Sequence, residues 1–237
     1  MLQEILESIS LKGYGSILLD GTWMTVKLSI CSLLLSVLLG LIGASAKLSG
    51  SKLLRIPATL YTTLIRGVPD LVLMLLIFYS LQTWLADLTD YMGWEYIEID
   101  PFSAGIITLG FIYGAYFTET FRGAILAVPR GQLEAASAYG LSRAQRFRFV
   151  LFPQLMRFAL PGLGNNWMVL IKSTALVSII GLSDVVRAAQ DAGKSSYRLF
   201  FFLIVAALIY LAFTTLSNFV LNALERRYAI GVREALR

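Results

Sequence analysis

A chain of 237 residues has the length of one or two soluble domains, but 57% of it is hydrophobic, 15% is charged and mean hydropathy is +0.71. Soluble domains carry about a quarter charged residues, so this composition excludes a freely soluble protein, and the net charge of +5 points to basic loops beside membrane spans, not to nucleic acid. The absence of histidine and the single cysteine, Cys31, exclude Ser-His-Asp chemistry, His-ligated metal or haem, and an internal disulfide.

The chain opens MLQEILES, with acids where a signal peptide has its basic region, so no cleavable leader is expected. Leu2, Ile5, Leu6 and Ile9 recur at helical spacing, and residues before Ser10 fit an amphipathic outer-face helix or a frayed terminus equally. Crossing the hydrocarbon takes roughly 20 mainly apolar residues. Segments 22–46, 69–85, 103–121, 160–182 and 199–223 meet that need, which predicts an all-α membrane protein of about five spans.

In the first span Ser32, Ser36, Gly40 and Ala44 repeat every four residues, as Gly110 and Gly114 do in the third. Such a stripe predicts close helix packing, and Cys31 is expected to be a small packed residue. The second span is the shortest. Arg66-Gly67-Val68-Pro69 at its entry allows a bent or broken start, and the plainer reading is a loop before a helix.

Lys and Arg near span ends are retained on the cytoplasmic side. Lys47, Lys52, Arg55 and Arg66 precede the second span. Arg122, Arg130, Arg143, Arg146, Arg148 and Arg157 separate the third from the fourth, and Arg226, Arg227, Arg233 and Arg237 follow the fifth. Asp87, Asp90, Glu95, Glu98 and Asp100 fall between the second and third without a basic residue. Glu4, Glu7 and Asp20 outnumber Lys12 before the first. The amino terminus is therefore expected outside and the carboxy terminus inside. Arg187, Lys194 and Arg198 run against this pattern and are only partly balanced by Asp184 and Asp191.

Ionisable groups within spans cost on the order of 2.5–3.5 kcal/mol unless paired or hydrated, and usually face a cavity. Asp70, Glu119, Asn165 and Asn166 are expected at one depth in the cytoplasmic half, with Tyr113 and Tyr116 nearby. Two carboxylates there would suit a guanidinium or ammonium group. In the competing reading Glu119 pairs with Arg122 and Asp70 with Arg66, Lys172 serves as a counter-ion, and the tyrosines pack against lipid. Lys27 is placed to snorkel outward.

Residues 134–153 read EAASAYGLSRAQRFRFVLFP. Glu134 to Tyr139 favours helix, Gly140 permits a turn, and Leu141 and Ser142 start a second helix with Ser142 as N-cap. Ala135, Ala136 and Ala138 would keep one surface shallow enough to enter a groove on a partner, and Arg143, Arg146 and Arg148 could meet carboxylates or anionic lipid. Residues 188–196, AAQDAGKSS, approach a phosphate-binding loop, but Ala188 replaces the first glycine and no strand precedes it. No nucleotide site is expected in that outer loop.

The 134–153 stretch, with its Glu-Ala-Ala, the glycine at Gly140 and the proline at Pro153, resembles the EAA loop of ATP-binding-cassette importers. RGVPDLV from Arg66 to Val72, GFIYGAYFTETFRGAILAVPRGQLEAA, FPQLMRFALPGLGNNW and KSTALVSIIGLSDVV extend the resemblance to the permeases of bacterial polar amino-acid importers, most closely the Q-type permeases of histidine, lysine, arginine and ornithine systems. Val150 and Phe152 stand where that family has Ile and Leu.

The resemblance implies a type I importer transmembrane domain in the inner membrane. Residues 1–21 would be an outer segment, 22–223 the permease domain with its EAA loop at 129–158, and 224–237 a cytoplasmic tail. It implies a paralogous M-type permease partner, an ATPase dimer carrying the ATP and magnesium, a periplasmic solute-binding protein and a basic amino-acid substrate. Glu134, Ala135, Ala136, Gly140, Leu141 and Arg143 would couple to the ATPase. No catalytic residue, metal or cofactor is expected in this chain. A stand-alone channel or ion-coupled carrier using Asp70 and Glu119 is the alternative.

Overall fold

The structure is a computed structural model that describes residues 11–228. The predicted amphipathic segment before Ser10, Arg233 and Arg237 lie outside the described residues. A 3-10 turn at Leu11–Gly13 leads into α1, Gly15–Leu48. α2 is Lys52–Gly67, α3 is Asp70–Met92 and α4 is Pro101–Ala127. α5 is Arg130–Ala138 and α6 is Arg143–Arg146, which runs through a π turn at Phe147–Leu151 into α7, Phe152–Ser173. A 3-10 segment, Thr174–Ile180, precedes α8, Val185–Ser195, and α9, Leu199–Tyr228, ends the described chain. Five segments are long and apolar enough to cross a membrane.

α4 is the centre of the bundle, and α1 is its principal neighbour. The small-residue stripe makes this possible. Ser32, Ser36, Gly40 and Ala44 are all buried, and a Cβ added at Gly40 would stand 2.6 Å from the Phe117 Cβ. With no side chain there, the two backbones close on each other and bury Leu28, Leu109, Ile112 and Phe117 between them.

Two helices replace expected loops. α2 was expected as a connection. It is instead a helix with Ala58, Thr62 and Ile65 buried at helical spacing, and its Tyr61 hydroxyl donates to the Phe111 carbonyl, near the middle of α4. α2 thus climbs back along α4 from the end of α1. Gly67 closes it, Val68 and Pro69 are extended, and α3 starts at Asp70. The break allowed by the Gly-Val-Pro sequence is present, but it separates two helices.

α8 holds the segment that resembled a phosphate loop. Residues 188–195 are helical, Ala188, Ala189 and Ala192 are buried, and Gly193 is needed because a Cβ would meet the Leu199 Cα at 2.7 Å. The short outer loop expected there is a packed helix.

The remaining turns are set locally. Gly93, in the left-handed conformation, ends α3. Gln82 then pins the connection, accepting from Ile99 N at 2.8 Å and donating to the Ile97 carbonyl at 3.0 Å. Asp100 caps α4 with Pro101 at its first position. Between α5 and α6, Gly140 has φ +77°, and the Ser142 and Gln145 side chains cap each other's backbone.

Candidate functional site

The break between α2 and α3 is exposed from Arg66 to Pro69 and sets the start of α3, with Asp70 half-buried, against the middle of α4. The Tyr113 hydroxyl donates to Asp70 Oδ2 at 2.8 Å and stands 2.6 Å from Ser173 Oγ, so Asp70, the middle of α4 and the end of α7 meet at one level. Asp70 was expected near the cytoplasmic end of its span, and it is the first residue of that helix; because α2 first runs halfway along α4, this end stands level with the middle of α4.

Tyr113 is 2% exposed and is held among α4, α3 and α7 rather than facing lipid. Its ring stacks on Tyr116, centroids 5.6 Å apart, and the Arg66 guanidinium lies 5.5 Å from the Tyr116 centroid. The expected Arg66–Asp70 pair does not form. Asp70 makes no ion pair among the described residues; its contact there is a neutral hydroxyl donor.

Glu119 has the opposite surroundings. It lies six residues beyond Tyr113, about 9 Å along the helix, and takes an ion pair from Lys47 and another from Arg122 Nε at 3.0 Å. Lys47 Nζ also donates to Thr62 Oγ1 at 2.8 Å, so one lysine ties α1, α2 and α4 together. The Arg122 pair was among the expectations; the Lys47 pair was not. Lys47 lies three residues past Ala44 on the buried stripe of α1, and that spacing is the signal that would have found it. Lys172 makes no pair among the described residues and is exposed.

Asp70 and Glu119 therefore do not form the expected pair of carboxylates at one depth. A cleft of about 490 Å³ lies beside Glu119, lined by Lys47, Thr62, Thr63, Arg66, Tyr116 and Glu119, and Asp70 is not among its lining residues. Asn165 and Asn166 also part: Asn165 is exposed, while Asn166 is buried and donates to Thr120 Oγ1 at 3.0 Å. Consecutive helix positions point about 100° apart, so Asn166 ties α7 to α4 while Asn165 points away from that contact.

At the end of the bundle that carries the basic last turns of α1 and α9, α5 and α6 form an exposed helix-turn-helix. Glu134, Ala135, Ala138 and Arg143 are exposed and Leu141 is half-buried. Ala136, expected on the open surface, is 7% exposed and faces the chain's own interior. Tyr139, 87% exposed at the turn, presents an aromatic ring there instead. No group of three or more potential metal ligands occurs among the described residues.

Residues 36–230 match the family described as binding-protein-dependent transport system inner membrane component. The chain is 60% identical over 225 residues to the histidine/lysine/arginine/ornithine transport system permease protein HisQ of Escherichia coli, covering 95% of this chain and 99% of that one. It is 38% identical to the arginine ABC transporter permease protein ArtQ of Haemophilus influenzae, covering 90% and 94%. Among solved structures, an amino acid ABC transporter crystallised with histidines superposes with a TM-score of 0.76 at 35% identity, covering 92% of this chain and 97% of that one. An inward-facing MetNI methionine transporter shares the fold, with a TM-score of 0.62 at 18% identity over 88% and 96%.

Proposed function

The chain belongs to the family of inner-membrane components of binding-protein-dependent transport systems, and from that premise we propose that it is the Q-type permease subunit of an importer for basic amino acids, with arginine, ornithine, lysine and histidine as its substrate class. The likeness to the Escherichia coli permease along 95% of the chain carries this reading. Its partners are a paralogous M-type permease, an ATPase dimer that binds ATP and magnesium, and a periplasmic solute-binding protein. The amino terminus faces the periplasm and the carboxy terminus the cytoplasm, as the charge distribution predicts.

In this reading Asp70 receives the cationic side chain of the substrate. Asp70 is half-buried, which strengthens its attraction for a cation relative to open water; Tyr113 would orient the carboxylate, and no protein cation among the described residues competes for it. Glu119 is already neutralised by Lys47 and Arg122, which supports a structural role at the foot of the cleft. Arg66, over Tyr116 and four residues before Asp70 across the break, would take the substrate carboxylate. Asn165 is a further polar contact on α7.

Glu134, Ala135, Gly140, Leu141 and Arg143 belong to the surface that docks the ATPase, so closure of the ATPase dimer would move α5 and α6 and, through the π turn, α7. A stand-alone carrier has no use for such an exposed helix pair. Uptake driven by an ion gradient in vesicles without ATP would favour the carrier.

The test is ATP-dependent uptake of radiolabelled arginine by vesicles containing the whole complex, with native chain or Asp70→Asn. Loss of at least tenfold, roughly the worth of one charge-assisted contact, with the ATPase still bound, is expected. Unchanged uptake of both arginine and histidine would move substrate selection to the binding protein and leave Asp70 as structure.

A further inference from the structure

On the side of α4 away from Glu119, the bundle contains a groove of about 870 Å³ bounded by α1, α4, α7 and α9. Val37, Phe117, Phe121, Trp167 and Leu221 stand among its walls. Its one hydroxyl, Ser217 Oγ, is spent on Trp167 Nε1 at 3.0 Å. Water in such a groove would find almost nothing to bond. The helices at its rims, α1 and α9, turn Leu34, Leu38, Leu216 and Val220 outward, so the groove opens toward the hydrocarbon.

Its floor is the start of α7. The rings of Phe147 and Phe152 meet there at 6.0 Å, and Phe152 contacts Tyr228 of α9 at 6.4 Å. Positive charge collects at this floor. Arg148 follows Phe147 and is exposed, and Arg227 lies seven residues past Val220, on the same face of α9 and also exposed. Arg226 adds a further cation, and half-buried Glu225 is outnumbered. An apolar slot beneath an arginine collar matches a molecule with acyl chains and an anionic head.

We propose that this groove seats the acyl chains of an anionic phospholipid from the leaflet on the coupling-loop side, with its phosphate on Arg148 and Arg227. The proposal rests on the reading that this end of the bundle is cytoplasmic. Because Phe147 and Phe152 both line the groove and bracket the π turn below α6, the bound lipid supports the joint through which the coupling helices meet α7. Lipid composition thereby becomes a determinant of how well the ATPase drives the pore.

Trp167 supplies the probe. The whole complex is reconstituted in phosphatidylcholine vesicles containing increasing fractions of phosphatidylglycerol or phosphatidylcholine with brominated chains. The Trp167 fluorescence is taken as the difference between native and Trp167→Phe complexes. Quenching by the brominated phosphatidylglycerol at a several-fold lower mole fraction than by the phosphatidylcholine is expected, and Arg148→Gln with Arg227→Gln should bring the two curves together. Identical curves for the native complex would mean ordinary bulk lipid and overturn the proposal. An unquenched Trp167 would also overturn it, showing a protein segment or a second copy in the groove. A preference that survives both substitutions overturns the headgroup assignment. These readouts do not depend on transport, so they fail separately from the importer reading.

Discussion

Asp70 and Glu119 are both acids within candidate spans, and their neighbours give them different work. Glu119 accepts from two cations and Asp70 from a tyrosine hydroxyl, so one is already neutralised and the other has no cation paired with it among the described residues. A third acid, Asp184, lies between the fourth and fifth spans. It is fully buried, caps α8 through Arg187 N at 2.9 Å, and leaves Oδ2 without a partner. Burial pushes its carboxyl up to about 6, against hydrogen bonds from the backbone that pull it down. A folded-state value above the unfolded one favours the protonated, folded form. Its contribution to stability is thus fully present below about pH 4 and is lost as pH rises through about 6. The full difference is on the order of 3 kcal/mol. Thermal unfolding of the detergent-solubilised complex should therefore show lower stability at pH 8 than at pH 5. Asp184→Asn keeps a good N-cap without the charge and should remove most of that slope; an unchanged slope would mean Asp184 is not its source.

At the scale of elements, two short helical pieces make the molecule usable. α2 carries the chain back along α4 and lets α3 begin level with its middle, which puts Asp70 opposite Tyr113. Discontinuous helices recur at transporter sites because a helix broken inside protein can offer polar groups to a cavity without exposing them to lipid. α5 and α6 depend on their own turn, where Gly140 has a positive φ and Ser142 and Gln145 form reciprocal caps. Ser142→Ala removes the cap from a helix of four residues, which has little else to hold it, and should cost about 1 kcal/mol locally. Faster amide exchange at residues 143–146 and fewer arginines imported per ATP are expected. Unchanged exchange would show that packing on α7, not the cap, orders α6.

For the whole molecule, the contact of α1 with α4 is the structural axis. Gly40 faces Phe117 at a distance no side chain can enter. The neighbour is Cβ and backbone, not the flexible end of a side chain, so the helices would have to separate. Gly40→Leu should force them apart at a cost of several kcal/mol and abolish recovery of the assembled complex. Gly123→Leu, with nothing within 4 Å of an added Cβ, should be recovered normally. If Gly40→Leu complex is recovered at the native level, the seam does not set the fold.

The spans, the packing stripe and the helix-turn-helix can be read from the residues alone. Each depends on local periodicity or capping, which a short window of residues contains whole. The five segments agree with the observed helices, differing at their ends because helices run past the hydrocarbon on favourable local residues, as α1 does by starting at Gly15. The motif order also made the importer family legible. Which polar groups meet depends on how the helices pack. α2 was masked by its charged and Pro-containing start, and its amphipathic face acquired meaning only against α4. The depth of Asp70, the capture of Glu119 by Lys47, the separation of Asn165 from Asn166 and the inward turn of Ala136 all follow from helix rotation and stagger. Those are fixed by packing between residues far apart in the chain, such as Lys47 with Glu119 and Tyr113 with Ser173, and no local pattern encodes them.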